Sequence, residues 1–205
     1  EIYNFKSIRN ELQKKGYIFK TTGDTEVVLK AWIEWGENML SRLDGMFSFS
    51  IWSKKDKTLF LARDRYGIKP LFYILEKDKL FFASELNAII EYKDKLTLDK
   101  VSLVQYLQFN YTVSPNSIFN QVKKLDPGHY ISISKDSFEI NNYYTLNSKK
   151  NKIIKHNADK IKDDIKCLLQ ESVINRLISD VPIGTFLSGG IDSSIITAIA
   201  SKEHK

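Results

Sequence analysis

The chain has 205 residues, 42% of them apolar, and 31 Lys and Arg against 25 Asp and Glu give it a formal charge of +6. That length allows one full domain and part of a second, and no apolar run is long enough for a membrane-spanning helix. A single cysteine, Cys167, excludes an internal disulfide and fits a reducing, cytoplasmic setting.

Asn4 is placed to cap a first helix that carries Ile8 and Leu12 and ends at Gly16. Residues 17–19 read as a short strand. Asp24 is expected to cap the next helix, with Val27, Val28, Ala31 and Trp35 on it and Gly36 at its end. Residues 46–52 alternate, with Phe47, Phe49 and Ile51 on one face and Ser48 and Ser50 on the other. A charged turn at 53–57 leads to a second strand at 58–62. Residues 71–75 and 80–83 form another hairpin around a turn at 76–78. Ser84 is expected to cap a helix through Ile90, and Asp99 to start one through Leu107. Pro127-Gly128 turns into a strand at 130–133, and a last strand runs within 138–144.

The composition then becomes polar and lysine-rich, which marks 147–158 as a linker between a first domain at 1–146 and a second at 159–205. Asp159 opens a helix with Ile161, Ile165, Leu168, Leu169 and Ser172 on one face. Cys167 lies off the centre of that stripe, without a nearby His, and reads as structural. The lysine clusters at 54–55, 123–124 and 149–155 fall in predicted turns or linkers. They read as solvated loops rather than a nucleic-acid surface.

Residues 181–187 form an apolar run read as a buried strand, followed by Ser188-Gly189-Gly190-Ile191-Asp192-Ser193-Ser194 and an amphipathic helix. Glycines bring backbone N–H groups close to a ligand, and a helix N-terminus adds unpaired N–H groups and a positive dipole end. Such a site suits phosphate, with Ser188, Ser193 and Ser194 as further donors. Asp192 suits a helix cap or a metal bridging phosphates. The Gly-Lys-Ser/Thr ending of the common phosphate loop is missing, and the glycine spacing is not that of the dinucleotide fingerprint. Ser188 to Ser193 resembles the pyrophosphate-binding loop of the ATP pyrophosphatases.

Three further segments, Glu1-Ile2-Tyr3-Asn4, Gly23-Asp24-Thr25-Glu26-Val27 and Arg63-Asp64-Arg65-Tyr66-Gly67-Ile68-Lys69-Pro70-Leu71, resemble the glutaminase domain of class II glutamine amidotransferases. The likeness is strongest to the asparagine synthetase branch. Asp44 to Phe49 and Leu125 to Tyr130 also fit that pattern. The resemblance implies an α+β, Ntn-hydrolase-like glutaminase domain layered αββα, incomplete at its N-terminus. The start of an α/β ATP-pyrophosphatase domain follows it. It implies a ligase that moves the glutamine amide nitrogen to aspartate, with ATP and Mg²⁺, and gives asparagine, glutamate, AMP and pyrophosphate. By the same resemblance Glu1 and Asp24 contact glutamine, Asp24 at its α-amino group. Ser188, Gly189, Gly190, Asp192 and Ser193 hold the ATP pyrophosphate portion, with Leu187 beside the nucleotide. The nucleophilic Cys and the oxyanion-hole Asn-Gly pair of the family precede Glu1, so the chain is expected to be a fragment cut at both ends and without glutaminase activity of its own.

The expected partners are glutamine, aspartate and ATP, with neither nucleic acid nor membrane, and a homodimer is compatible. Arg63, Asp64, Arg65 and Lys69 are read as an ion-pair network fixing a turn, or as support for a domain contact. Two alternatives stay open: an amidotransferase with another acceptor, such as a sugar acid or a β-lactam precursor, and a non-catalytic basic binding module. A salt titration of nucleic-acid affinity separates the latter.

Overall fold

A computed structural model describes residues 1–77, 79–93, 95–146, 157–179 and 181–203. It divides into two compact units, Glu1–Leu146 and Asn147–Lys205. The expected linker at 147–158 lies outside the described residues except for Asn157 and Ala158.

In the first unit, helices α1 (Phe5–Lys14), α2 (Asp24–Trp35) and α3 (Met39–Arg42) precede strands β1 (Ser48–Ser53) and β2 (Thr58–Arg63). The hairpin β3 (Phe72–Glu76) and β4 (Lys79–Ala83) follows, then helices α4 (Leu86–Tyr92) and α5 (Lys100–Phe109). Strands β5 (Lys123–Lys124), β6 (His129–Ile133) and β7 (Phe138–Asn142) complete the unit. The strands form two antiparallel sheets, ordered β1-β2-β6-β7 and β4-β3-β5.

Side-chain alternation along the strands builds the layers. Phe60 and Ala62 of β2 and Tyr130 of β6 face the helices, where they meet Ile8, Leu12, Val27, Ala31, Met39 and Leu40. Leu61 and Ile131, one residue along, face the other sheet and pack with Leu71, Tyr73 and Leu125. Ile74, next to Tyr73, turns the opposite way onto Ile89 of α4 and Val122. The order is therefore helix, sheet, sheet, helix, the layered α+β arrangement expected for this unit. Phe60 anchors the helix side, with ring centroids 4.4 Å from Trp32 and 5.0 Å from Tyr130.

Several local expectations are corrected. Asn4 does not cap α1. Its side chain donates to the Arg42 carbonyl at 2.8 Å and accepts the Asp44 N–H at 3.0 Å, joining segments forty residues apart. Residues 17–19 form no strand: no strand runs beside them, and Ile18 is 81% exposed. Glu85, not Ser84, precedes α4, and neither caps it with a side chain. Asp99 does cap α5, accepting the Val101 N–H at 3.0 Å. Strand β5, two residues long, carries no alternation by which it could be recognised.

The Arg63–Asp64 pair knits the turn after β2. The Asp64 carboxylate, 1% exposed, accepts the N–H groups of Phe47, Tyr66, Ile68 and Lys69 at 2.9–3.3 Å. Arg63 donates to the carbonyls of Gly67, Lys69 and Leu125, and burial lowers its pKa. Tyr143 donates to the Arg63 carbonyl at 2.8 Å. No salt bridge among the described residues involves this run, so the expected ion-pair network is a web of side chain to backbone bonds.

The second unit contains α6 (Ala158–Arg176) and α7 (Ile191–Glu203), which bury Val173 and Ala200. Asn157 caps α6 by accepting the Asp159 N–H at 3.1 Å. Residues 181–187 form neither a strand nor a buried segment among the described residues: Val181 is 69% exposed and Phe186 99%. A strand needs a neighbour to complete its hydrogen bonds, and the described residues of this unit offer none.

Candidate functional site

Glu1–Tyr3 lies along residues 44–46 as a short antiparallel contact. The Glu1 amino group donates to the Met46 carbonyl, Met46 N–H returns a bond to Glu1, and Tyr3 N–H donates to Asp44. The contact depends on Gly45, paired with Ile2, because a Cβ there would collide with the Glu1 carbonyl and lie 2.9 Å from Ile2 Cα. Asp24 faces this segment from the first turn of α2. It is not the cap it was expected to be, since Gly23 holds that position. Its Oδ2 instead accepts the Ile2 N–H at 3.0 Å. One side chain thus fixes the N-terminal segment and keeps lone pairs for another partner.

Two side chains hold the loop before Asp24. Arg9 of α1 donates to the carbonyls of Thr21 and Gly23 at 2.6 and 2.9 Å, its guanidinium 4.6 Å from the Phe19 ring centroid. Glu26 accepts the N–H groups of Lys20 and Thr21 and the Thr21 hydroxyl. These bonds, the Lys20 N–H first, lower its pKa to about 2. Sequence reasoning singled out neither residue for this, because their targets are backbone atoms of an irregular loop.

Glu1 and Asp24 line one cleft of about 520 Å³, together with Thr25, Met46, Ser48 and Lys69. The volume suits a small molecule. The carboxylate of Asp24, beside Glu1 at the wall, suits an ammonium group. The structure therefore brings together the two residues selected from the first domain.

In the second unit, Ser188 to Ser193 passes through an exposed turn into α7. Gly189 has φ +83°, a conformation side chains rarely adopt, and nothing lies within 4 Å of a Cβ placed there. At Gly190 a Cβ would meet only the Ser188 and Ser193 hydroxyls, at 3.7 and 4.0 Å. The hydroxyls of Ser193 and Ser194 both donate to the Gly190 carbonyl, and the Ser188 and Ser193 oxygens are 3.1 Å apart. These bonds fold the loop tightly onto the start of α7. Asp192 stands in the first turn of α7 and Leu187 is 62% exposed. Cys167 is exposed on α6. No group of three or more His, Cys, Asp or Glu among the described residues could hold a metal ion.

Residues 1–144 match the family described as the glutamine amidotransferase domain, and residues 164–205 match asparagine synthase. Asparagine synthetase [glutamine-hydrolyzing] 1 of Bacillus subtilis (strain 168) is 40% identical over 205 residues, all of this chain and 32% of that protein. Asparagine synthetase [glutamine-hydrolyzing] 3 of the same strain is 40% identical over 203 residues, 98% of this chain and 33% of that protein. Among solved structures, glutamine phosphoribosylpyrophosphate amidotransferase from B. subtilis aligns with 98% of this chain and 42% of its own, at a TM-score of 0.49 and 18% identity. The chain spans about a third of the length of the curated relatives it matches.

Proposed function

The chain belongs to the glutamine amidotransferase domain family through residues 1–144, and from that membership we propose that it serves ATP-dependent transfer of the glutamine amide nitrogen to aspartate. The products are asparagine, glutamate, AMP and pyrophosphate. The observation that carries this reading is the convergence of Glu1 and Asp24 on one cleft. The match of residues 164–205 to asparagine synthase, in the same chain order as in the relatives, points to the acceptor reaction.

In this reading Asp24 holds the α-ammonium of glutamine as a charge-assisted pair. Its second bond, to Ile2 N–H, keeps the Glu1 segment at the wall against which the substrate lies. Arg9 and Glu26 keep the Asp24 carboxylate aimed at the cleft by fixing the loop that leads to it. Gly189, Gly190, Ser188 and Ser193 present the phosphate-binding turn, with the N–H groups of the first turn of α7 behind it. Asp192 is that turn's carboxylate. One carboxylate does not make an all-protein metal site, but it fits Mg²⁺, which keeps one or two carboxylate ligands and takes the rest of its shell from phosphates and water. The work is on small molecules in the cytoplasm. No helix among the described residues is long and apolar enough to cross a membrane.

The test is the fate of the label from amide-¹⁵N glutamine in the full-length protein. Label in asparagine, with AMP and pyrophosphate formed in equal amounts, is the expected result. Label in a different acceptor, or product formed without AMP, overturns the reading. A second expectation concerns Gly45. Gly45→Ala should raise the KM for glutamine about tenfold or more, an effect of roughly 1.4 kcal/mol. Synthesis from ammonia should be unchanged, because the methyl group pushes only on the backbone of Glu1 and Ile2. An unchanged KM would show that this backbone contact does not shape the cleft.

A further inference from the structure

Strand register places a row of apolar side chains at the far rung of the first unit's two sheets. Trp52 pairs with Leu59, Leu59 with Ile133, and Ile133 with Phe138, so the four share one face of the four-stranded sheet. Leu75 pairs with Leu80 on the other sheet. One rung inward, Leu61 and Ile131 are fully buried between the sheets. The outer rung is not closed: Trp52 is 55% exposed and Leu75 46%. These six side chains line a cavity of about 810 Å³ where the turns after β1, β3 and β6 converge.

The mouth of that cavity is cationic. Lys57, Lys77, Lys79 and Lys135 line it, against Asp136. No salt bridge among the described residues engages any of the four lysines. Lys57 and Lys77 stand at φ +52° and +42°, left-handed turn positions better suited to glycine or asparagine. Turn chemistry alone would not choose lysine twice there. Strained positions of this kind gather at ligand sites, and an apolar floor under a rim of four lysines and one aspartate is the complement of an amphiphilic anion.

We propose that this cavity, lined by Trp52, Leu59, Leu75, Leu80, Ile133 and Phe138, binds a small molecule with an apolar body and one anionic head, a carboxylate or phosphate. The proposal does not depend on the amide-transfer reading, because its residues lie outside the Asp24 cleft. Isothermal titration of the chain with decanoate and with decyl phosphate tests it and separates the two heads. Saturable one-to-one binding of at least one of them, weakening as salt is raised, is expected. A Lys77→Gln, Lys79→Gln, Lys135→Gln variant should lose about tenfold or more in affinity, and Trp52→Ala a similar amount. All four side chains are exposed, so thermal unfolding should stay unchanged and serves as the folding control. Decanol, which lacks the charge, and AMP, which lacks the chain, should both bind about tenfold more weakly. No saturable binding, equal binding of decanol, or unchanged affinity in both variants overturns the proposal. So does binding to phosphatidylglycerol vesicles with none to the monomeric amphiphiles, which would make the rim a membrane contact.

Discussion

Gly189→Val and Asp192→Ala, each made in the full-length protein, should lower ATP-dependent pyrophosphate release about 100-fold or more with glutamine and with ammonia alike, a loss of about 2.7 kcal/mol in transition-state binding. Glutamine hydrolysis stays within about twofold, because the Asp24 cleft is built from other residues. At Gly189 the cause is conformational. Its φ of +83° costs a β-branched residue about 1–3 kcal/mol, and the chain relieves that strain by moving the N–H groups that would face phosphate. At Asp192 the cause is electrostatic, the loss of the turn's one carboxylate. Gly190→Ala is the internal control. Its Cβ would make only ordinary contacts with the Ser188 and Ser193 hydroxyls, so its effect should be much smaller than that of Gly189→Val. Pyrophosphate release retained in both Gly189→Val and Asp192→Ala would remove the basis for an ATP site at this loop. Equal damage from Gly190→Ala would place the sensitive geometry one residue on.

Asp24→Asn should lower glutamine-dependent synthesis about 100-fold, while ammonia-dependent synthesis should remain within about twofold. The substitution is selective because the amide oxygen of Asn can still accept the Ile2 N–H that Asp24 Oδ2 accepts at 3.0 Å. The backbone arrangement survives and the negative charge does not. Losing the charge that faces an ammonium in a cleft costs several kcal/mol, much of it from the cation left without a partner. Asp24→Ala removes both the charge and the Ile2 bond, so it should be worse for glutamine than Asn and still spare ammonia. Equal loss of the two nitrogen sources in Asp24→Asn would assign Asp24 a purely structural role.

Much of the first unit was legible because its strands obey a period of two. Alternation at 46–52 identified β1, the charged turn after it set off β2 at 58–62, and the period of two along β2 divides Phe60 from Leu61 and so builds the layers. Local chemistry also identified Asp99 as a cap, since its partner is two residues away. Asn4 and Asp24 look the same in sequence, each a short polar residue beside a helix. Their side chains bond instead to Arg42 and Asp44 and to Ile2, choices made by tertiary packing that no local pattern encodes. For the site, Glu1 and Asp24 were reached by resemblance. Glu26 lay within the matched segment 23–27 without a role of its own, and Arg9 lay in no matched segment, since a side chain that grips loop backbone leaves no signature in the pattern. The lysine-rimmed cavity is invisible without register, because its floor comes from six strand positions and its charges look like ordinary turn lysines. The apolar run at 181–187 shows the reverse limit. Its composition is that of a strand, but composition cannot supply the neighbouring strand it needs.

The bonds around Arg63 and Asp64 have a consequence for how this sequence can drift. Among the described residues, every acceptor of the Arg63 guanidinium is a main-chain carbonyl, and every donor to the Asp64 carboxylate is a main-chain N–H. A lesion in a side chain to side chain pair can be repaired by changing the partner. Here the partner is the polypeptide itself, which presents the same N–H groups with any residue but proline at positions 66, 68 and 69 and the same carbonyl with any residue at 125, whereas Gly67, at φ +64° with the Arg63 guanidinium 3.0 Å from where a Cβ would stand, is fixed. Tyr66, Ile68 and Lys69 are therefore replaceable as far as this web is concerned, while Arg63 and Asp64 have no suppressor among their neighbours. Genetic selection for revertants of an Asp64 variant should return the original aspartate and little else, leaving this pair without correlated partners in any collection of functional descendants.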